Sequence, residues 1–319
     1  MRSLGHMKEN NVILTIGIPT YNGERNIQQR LENILSQTFQ NFKIIISDNK
    51  STDKTSKICQ EFTSKDKRIQ YIQQDENIGG IKNYQFVLNK AETKYFVWAA
   101  DDDLWDKTFL EKNISILEKD NLCVGSIGKI QWSYTHSHRN DEFNLEPQEK
   151  IFKKYYKQIR KKFQHHGPDS IVGNTFEKRA SVYLRKLQTQ NPSFNMYSIF
   201  RTNALQKSIN PKKNIEEFQF GFWNNVCIAI LEYGNIHLID EKLIYYSTDG
   251  GGSEITPITQ YRKNELSLIQ CIIPWHTQTI WFIHKFGLKF FFKYFGDFFG
   301  LFIMGEIIFI LSIFKELKK

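Results

Sequence analysis

Three consecutive carboxylates, Asp101-Asp102-Asp103, follow the apolar run Tyr95-Phe96-Val97-Trp98-Ala99-Ala100. A buried strand with that sequence delivers them to the edge of a sheet. Like charges this crowded repel one another, and burying them is costly unless a cation or hydrogen-bond donors compensate. One arrangement that compensates is a divalent metal that in turn holds a phosphate. Another is an acidic turn capping a helix that starts near Leu104, because aspartate is favoured at helix N-termini. The triplet by itself leaves both readings open.

The elements before the triplet decide where it sits. Val12-Ile13-Leu14-Thr15-Ile16-Gly17-Ile18, closed by Pro19, reads as a strand buried on both faces, as parallel sheets require. Residues 26 to 37 place Ile27, Leu31, Ile34 and Leu35 at helical spacing, and Phe42-Lys43-Ile44-Ile45-Ile46-Ser47 is a second strand, which makes a βαβ unit. A helix from Thr52-Asp53-Lys54-Thr55 to about Thr63, a short strand Ile69-Gln70-Tyr71-Ile72 and a helix from Ile81 to Ala91 continue the alternation. Such alternation through residue 103 predicts an α/β fold with a mostly parallel, doubly wound sheet. Ligands of these sheets bind beyond the carboxyl ends of the strands. Three polar segments stand there: Thr20-Tyr21-Asn22-Gly23-Glu24, Asp48-Asn49-Lys50-Ser51 and the aspartates. Polar residues fill most loops, but acids, amides and hydroxyls recurring at one end of successive strands point to a shared pocket.

Beyond Asp103, the pattern predicts a helix over Leu110–Lys119 and a strand over Leu122–Ser133, followed by a polar loop from Thr135 to Pro147. Helices on a positively charged insert are expected over 148–190. Strands over Phe194–Phe200 and Ile236–Tyr246 flank a helix from about Glu216 to Tyr233, and the glycine-rich turn 248–253 is free to approach a ligand closely. The expected organisation is a ligand-binding half at 8–119, a second half with a basic helical insert at 120–255 and a helical segment at 256–319.

The chain has 319 residues, is 40% hydrophobic and 24% charged, and carries a net charge of +9, which fits a folded body large enough for an enzyme. Four scattered cysteines, Cys59, Cys123, Cys227 and Cys271, lack the Cys-x-x-Cys spacing of a zinc site and argue for a reducing compartment. No signal peptide is expected at the N-terminus, where Gly5-His6-Met7 reads as a tag scar. The positive charge is uneven: Phe152 to Phe163 holds six lysines and arginines among aromatics, so anionic partners are implied.

Ile18-Pro19-Thr20-Tyr21-Asn22, then Ser47-Asp48-Asn49-Lys50-Ser51-Thr52-Asp53, then Asn77-Ile78-Gly79-Gly80 with Asn83, then the aspartate triplet, together resemble the family 2 glycosyltransferases with the Rossmann-like GT-A fold. The resemblance covers about the first 110 residues in register and extends more weakly to about residue 253. Ser47-Asp48-Asn49 and Tyr95-x-x-Trp98 look most like the abequosyltransferase-like branch acting on bacterial O-antigen precursors. The resemblance implies that Pro19, Thr20, Tyr21 and Glu24 lie along a nucleotide, that Asp48 accepts a hydrogen bond from the base, and that Lys82 and Asn83 approach ribose or diphosphate. It places Asp101 at the ribose, Asp102 in the same nucleotide-binding set, and Asp103 at Mg²⁺ or Mn²⁺, which offsets the charge of the departing diphosphate. The donor would be a UDP-, CDP-, GDP- or dTDP-sugar.

Two departures from the family pattern matter. Where many relatives have a metal- or diphosphate-holding histidine, this chain has Asp249, which either ligates metal with Asp103 and Asp101 or caps a glycine turn. Where relatives carry a general base, the nearest acids here are Glu216 and Glu217. An inverting transfer needs one carboxylate to take the acceptor's proton; first-turn helix acids are the ordinary alternative.

Residues 275 to 295 are aromatic and basic with almost no acids, the composition of amphipathic helices lying in a membrane interface. Phe298 to Phe314 is apolar for about 17 residues but contains Glu306, at the lower bound for a spanning helix. A peripheral or monotopic protein on the cytoplasmic face of the bacterial inner membrane is expected, binding an anionic membrane surface and a polyprenyl-diphosphate-linked saccharide acceptor, with no nucleic-acid partner. A helix packed on the core or in a dimer interface is the competing reading of the tail. A sugar-1-phosphate nucleotidyltransferase is the alternative enzyme, though its glycine-rich, arginine-containing first loop is absent. A nonenzymatic basic membrane- or nucleic-acid-binding module is the other alternative, though it has no need of acids at a strand end.

Overall fold

In the computed structural model, residues 12–133, 167–187, 192–209, 222–247 and 276–296 are described. The chain forms two compact units interleaved in sequence. The first takes the described residues through Gln131 together with Tyr197–Lys207 and Ile239–Tyr246, and the second takes the rest.

The first unit is built on β1 (Leu14–Thr20), β2 (Phe42–Asp48), β3 (Ile69–Gln73) and β4 (Tyr95–Trp98), which pair in parallel in the order β3-β2-β1-β4. All seven residues of β1 and all four of β4 are buried, as their unbroken apolar runs require. Helices α1 (Ile27–Leu35), α2 (Thr55–Lys65) and α3 (Gly80–Asn89) make the crossovers. The left-handed φ of +84° at Gly79 opens α3. Helix α3 lies against β1 so closely that a Cβ on Gly17 would stand 2.7 Å from Val87 Cγ2 and 2.8 Å from Phe96 Cζ.

The sheet is mixed, which corrects the expectation of a mostly parallel one. Its order is β3-β2-β1-β4-β7-β6-β8-β5. The short β7 (Ile199–Arg201) runs antiparallel to β4 and to β6 (Cys123–Ser133), and β5 (Leu104–Trp105) runs antiparallel to β8 (Asn235–Ser247). The reason is local: after Asp103 no crossover helix precedes the next strand. Leu104 and Trp105 instead pair at once with Tyr245 and Ile244. The aspartates therefore do not cap a helix. The next helix, α4 (Phe109–Lys119), starts only after Asp106 has accepted hydrogen bonds from Thr108 N (2.9 Å) and Oγ1 (2.6 Å). At its other end, Arg201 donates to the carbonyls of Leu117 (2.6 Å) and Asp120 (3.2 Å), closing the helix terminus. Helix α6 (Thr202–Ser208) follows β7 directly.

The second unit contains α5 (Phe176–Leu187) and α7 (Phe222–Ala229), with the bridge Ile171 to Ile236 at the start of β8. Arg179 reaches the Leu231 carbonyl at 2.8 Å and that of Gly173 at 2.7 Å. Two helices follow, α8 (His276–Phe286) and α9 (Leu288–Lys293). Their aromatic residues divide. Phe282, Phe286 and Phe290 pack with Phe176 of α5, and Lys285 pairs with Glu232 at 3.4 Å. Ile280, Leu288, Phe292 and Phe295 stay exposed. The core-packing reading thus holds for one side of this segment. Among the described residues no helix is long and apolar enough to cross a membrane. The basic insert 152–163, the apolar stretch 298–314 and the turn 248–253 lie outside the described residues.

Candidate active site

The first unit brings the ends of β1, β2 and β4 together at Thr20. Its Cα is the register partner of Asp48, its carbonyl accepts from Asn49 N at 2.9 Å, and its hydroxyl donates to Asp101 Oδ2 at 2.5 Å. Gly23 stands against this last bond. A Cβ there would lie 2.5 Å from Asp101 Oδ2 and 2.6 Å from Thr20 Oγ1, so only glycine lets the first loop pass over the aspartate corner.

The three loops are stitched by side chains to backbone. Asn22, in the left-handed region at φ +53°, receives Thr52 N at 2.8 Å and gives its own N–H to Ser51 Oγ at 2.9 Å. Glu24 N donates to Asp53 Oδ2 at 3.1 Å, while Lys54 N donates to Glu24 Oε2 at 3.0 Å. Gly23 N reaches Thr55 Oγ1 at 2.8 Å. Asn49 joins the second loop to the third, donating to Asn77 Oδ1 and accepting from Ile78 N, both at 2.8 Å. Several residues read as ligand contacts thus have structural partners. Asp48 is fully buried, with Oδ1 on Ser51 N (2.8 Å) and Oδ2 on Tyr71 OH (2.7 Å) and Gln73 Nε2 (3.3 Å). Asn83 is buried too, donating to the Ser47 carbonyl at 2.9 Å and accepting from Ser47 Oγ at 2.6 Å. Glu24 is spent on Lys54. Pro19 is a buried β1 residue; Tyr21 and Lys82 are exposed at the rim. Tyr95 and Trp98 are core residues, Trp98 donating to the Tyr84 carbonyl at 2.9 Å.

At the aspartate corner, Asp103 is buried, and Asp101 and Asp102 are partly so. Burial pushes the Asp101 carboxyl up to about 6; the Thr20 hydrogen bond pulls it down, Asp102 pushes it up again and Arg30 opposes that. Asp102 is also raised by burial, against the pull of Arg30. Arg30, from α1, is the charge the sequence reading did not find. It is completely buried, its guanidinium carbon lies 3.9 Å from the centroid of the Trp105 ring, and Nη1 donates to Asn33 Oδ1 at 3.1 Å. Burial lowers its pKa to about 10 while Asp103, Asp102 and Asp101, in that order, draw it up, so it is a cation at neutral pH. Asn33 pairs with both backbone groups of Trp105, at 2.8 and 2.9 Å, and Gln37 with the Asp106 carbonyl and Leu110 N, at 2.9 and 3.2 Å. One face of α1 and its exit thus fix the segment that follows the triplet. Its signal was present: Arg30 stands three residues after Ile27 and four before Ile34, inside the apolar stripe.

Tyr84, Tyr197 and Tyr246 surround the corner electrostatically. Burial raises all three, and the negative charge of the triplet raises them further, Tyr246 to about 12. They remain protonated at neutral pH. The Tyr197 and Tyr246 rings meet edge to face at 6.2 Å. Among the described residues no group of three or more histidine, cysteine, aspartate or glutamate side chains is gathered as a metal cluster. Glu216, Glu217 and Asp249 lie outside the described residues.

Residues 15–183 match glycosyl transferase family 2. The chain belongs to this family. The family 2 chain is 32% identical over 124 residues to an uncharacterized glycosyltransferase of Haemophilus influenzae, covering 38% of each. It is 30% identical to the putative teichuronic acid biosynthesis glycosyltransferase TuaG of Bacillus subtilis, covering 36% of this chain and 46% of TuaG. It is 28% identical to WfgD of Escherichia coli, a UDP-Glc:alpha-D-GlcNAc-diphosphoundecaprenol beta-1,3-glucosyltransferase, covering 34% and 43%. The chain spans under half the length of these curated relatives. Among solved structures it resembles S. aureus TarS 1–349 in complex with UDP-GlcNAc, at TM-score 0.54 and 19% identity over 78% of this chain and 64% of TarS, which shows a shared GT-A fold. Family membership sets aside the nucleotidyltransferase and nonenzymatic readings; it does not reach the abequosyltransferase-like branch, whose Tyr95 and Trp98 are core residues here.

Two outcomes follow from this geometry. Because the folded state holds the Asp101 proton up to about 6 against an ordinary value of 3.8, ionising it costs native stability as pH rises through that window. In metal-free denaturant titrations, Asp101→Asn should therefore gain on the parent between pH 4 and about 6, by about 2 kcal/mol, and level off above. A gap that is flat with pH contradicts this. Gly23→Ala should cost about 1–3 kcal/mol by prising Thr20 from Asp101. Gly80→Ala, whose Cβ meets nothing within 4 Å, should be neutral in the same assay.

Proposed function

We propose that this family 2 enzyme moves a sugar, with inversion, from a nucleotide-sugar donor to a lipid-linked saccharide acceptor in bacterial surface-glycan synthesis. The observation that carries the donor half is the junction at Thr20, which ties the ends of β1 and β2 to Asp101 at the mouth of the parallel sheet. The UDP-GlcNAc complex of TarS supports a UDP-sugar, and the name of WfgD supports a diphosphoundecaprenol-linked acceptor.

The donor set suits Mg²⁺ or Mn²⁺. It consists of hard carboxylate oxygens, and among the described residues three acids act on the one Arg30 guanidinium, which leaves the corner negative. Asp103 would hold the ion, with Asp101 and Asp249 as further candidates and phosphate oxygens of the donor completing the shell. When bound, such an ion neutralises charge on the leaving diphosphate. Thr20 orients Asp101. Tyr21 and Lys82, exposed at the rim, reach the nucleotide. Asp48 and Asn83 act on the nucleotide by holding the loops, with Asp48 able to meet the base only by giving up an internal partner. Proton removal from the acceptor falls to Glu217 or Glu216.

The exposed side of α8 and α9 supports a membrane-surface setting at the cytoplasmic leaflet. Residues 276–296 contain no acid, and Leu288, Phe292 and Phe295 stand out beside exposed Lys289 and Lys293.

Thermal stabilisation by UDP, CDP, GDP and dTDP, with and without Mn²⁺, tests the donor half. One nucleotide should raise Tm by several degrees and by more with Mn²⁺; no response to any of the four sinks the transferase reading. Flotation with vesicles containing phosphatidylglycerol tests the surface. Phe292→Asp/Phe295→Asp should lose at least tenfold in binding, and undiminished binding removes α9 from the membrane contact.

A further inference from the structure

Arg30 has no direct ion pair with the acids it faces. Its Nη1 is on Asn33, and Nε and Nη2 have no hydrogen-bond partner among the described residues. A buried guanidinium left with two unmet donors is expensive by packing standards, and a methionine or leucine would fill the space above Trp105 without that cost. What an apolar side chain lacks is charge. The guanidinium lies 3.9 Å from the centroid of the Trp105 ring, two residues beyond Asp103, and Asp103, Asp102 and Asp101 are the acids that draw on it. Asn33 on α1 and Gln37 just past its end already anchor Trp105, Asp106 and Leu110, so the segment is positioned without Arg30.

We propose that Arg30 is a positioning residue acting through charge: a built-in counter-ion that offsets one negative charge of the aspartate corner, so that a divalent cation is held without excess affinity and a diphosphate is less repelled. This rests on the donor and metal reading above. Arg30 touches neither group in this account; it sets the field that both meet.

Removing the charge has opposite effects on two ligands, which a packing role would not produce. With one positive charge fewer beside the corner, Mn²⁺ alone should bind Arg30→Met at least tenfold more tightly, because even at an effective dielectric near 20 a buried unit charge some ångströms away shifts a divalent ion by more than that. Metal-free UDP should bind at least several-fold more weakly. Arg30→Gln, which also lacks the charge, should follow Arg30→Met, and Arg30→Lys should change neither affinity by more than a few-fold. Isothermal titration of the full chain with MnCl₂ alone and with UDP in EDTA reads all four proteins.

If the parent binds neither UDP nor Mn²⁺, the transferase reading itself has failed. If the parent binds both and Arg30→Met leaves them unchanged or weakens both, Arg30 is a packing residue and the inference is overturned. Should Arg30→Met fail to fold, a folded Arg30→Gln with tighter Mn²⁺ and weaker UDP binding supports the counter-ion; a folded Arg30→Gln with parental affinities, or failure of both variants to fold while Arg30→Lys folds, overturns it.

Discussion

Gathering three carboxylates at the end of a buried strand is unfavourable by several kcal/mol per unpaired charge, and much of the first unit is arranged around that cost. The helix between β1 and β2 contributes a cation from within its own apolar stripe, stacked on the first tryptophan after the acids. The hydroxyl at the end of β1 contributes a short hydrogen bond. Two amides, Asn33 on the helix and Gln37 just past its end, then pin the backbone immediately downstream. Helix α1 is therefore more than a crossover: its burial, its register and the location of the acids are one constraint. A rotation of α1 by one residue would take Arg30 off Trp105 and Asn33 off the same residue's backbone together.

The polar motif residues divide by whether their hydrogen-bonding capacity is already used. Asn22, Glu24, Asn49, Ser51, Asp53 and Asn83 join loop to loop, so three segments distant in sequence form one rigid rim. Such pre-bonding lowers the entropy that ligand binding has to overcome.

The parallel half of the fold was legible because unbroken apolar runs and helical spacing each have one good explanation there. The first strand, the helix over 27–35 and the strand entering the triplet lie where the pattern placed them, to within two residues. The antiparallel half was less legible. Strand β7 is three residues long, and β5 is two residues whose partner is far away in the chain, so neither carries a periodic signal. The nature of the corner was partly legible. Composition announced that a cation was needed and suggested a metal; the protein also supplies a guanidinium of its own, from a position inside the apolar stripe of α1. Asp48 illustrates the converse: its residue type suggests a ligand contact, and its zero exposure shows an internal brace.

The pairing of Leu104 with Tyr245 has a consequence for the order in which the molecule can be made. The two residues are 141 positions apart (245 − 104), and β4 likewise waits for Phe200 and Arg201 to emerge. A nascent chain that has just presented its acids to the surroundings thus carries two open strand edges until more than a hundred further residues have been synthesised. Closing loops of this length is slow compared with forming the local βαβ units. The nucleotide-facing half can take shape early on the ribosome, but its sheet is completed, and the ground beneath the aspartates made firm, only when β8 arrives.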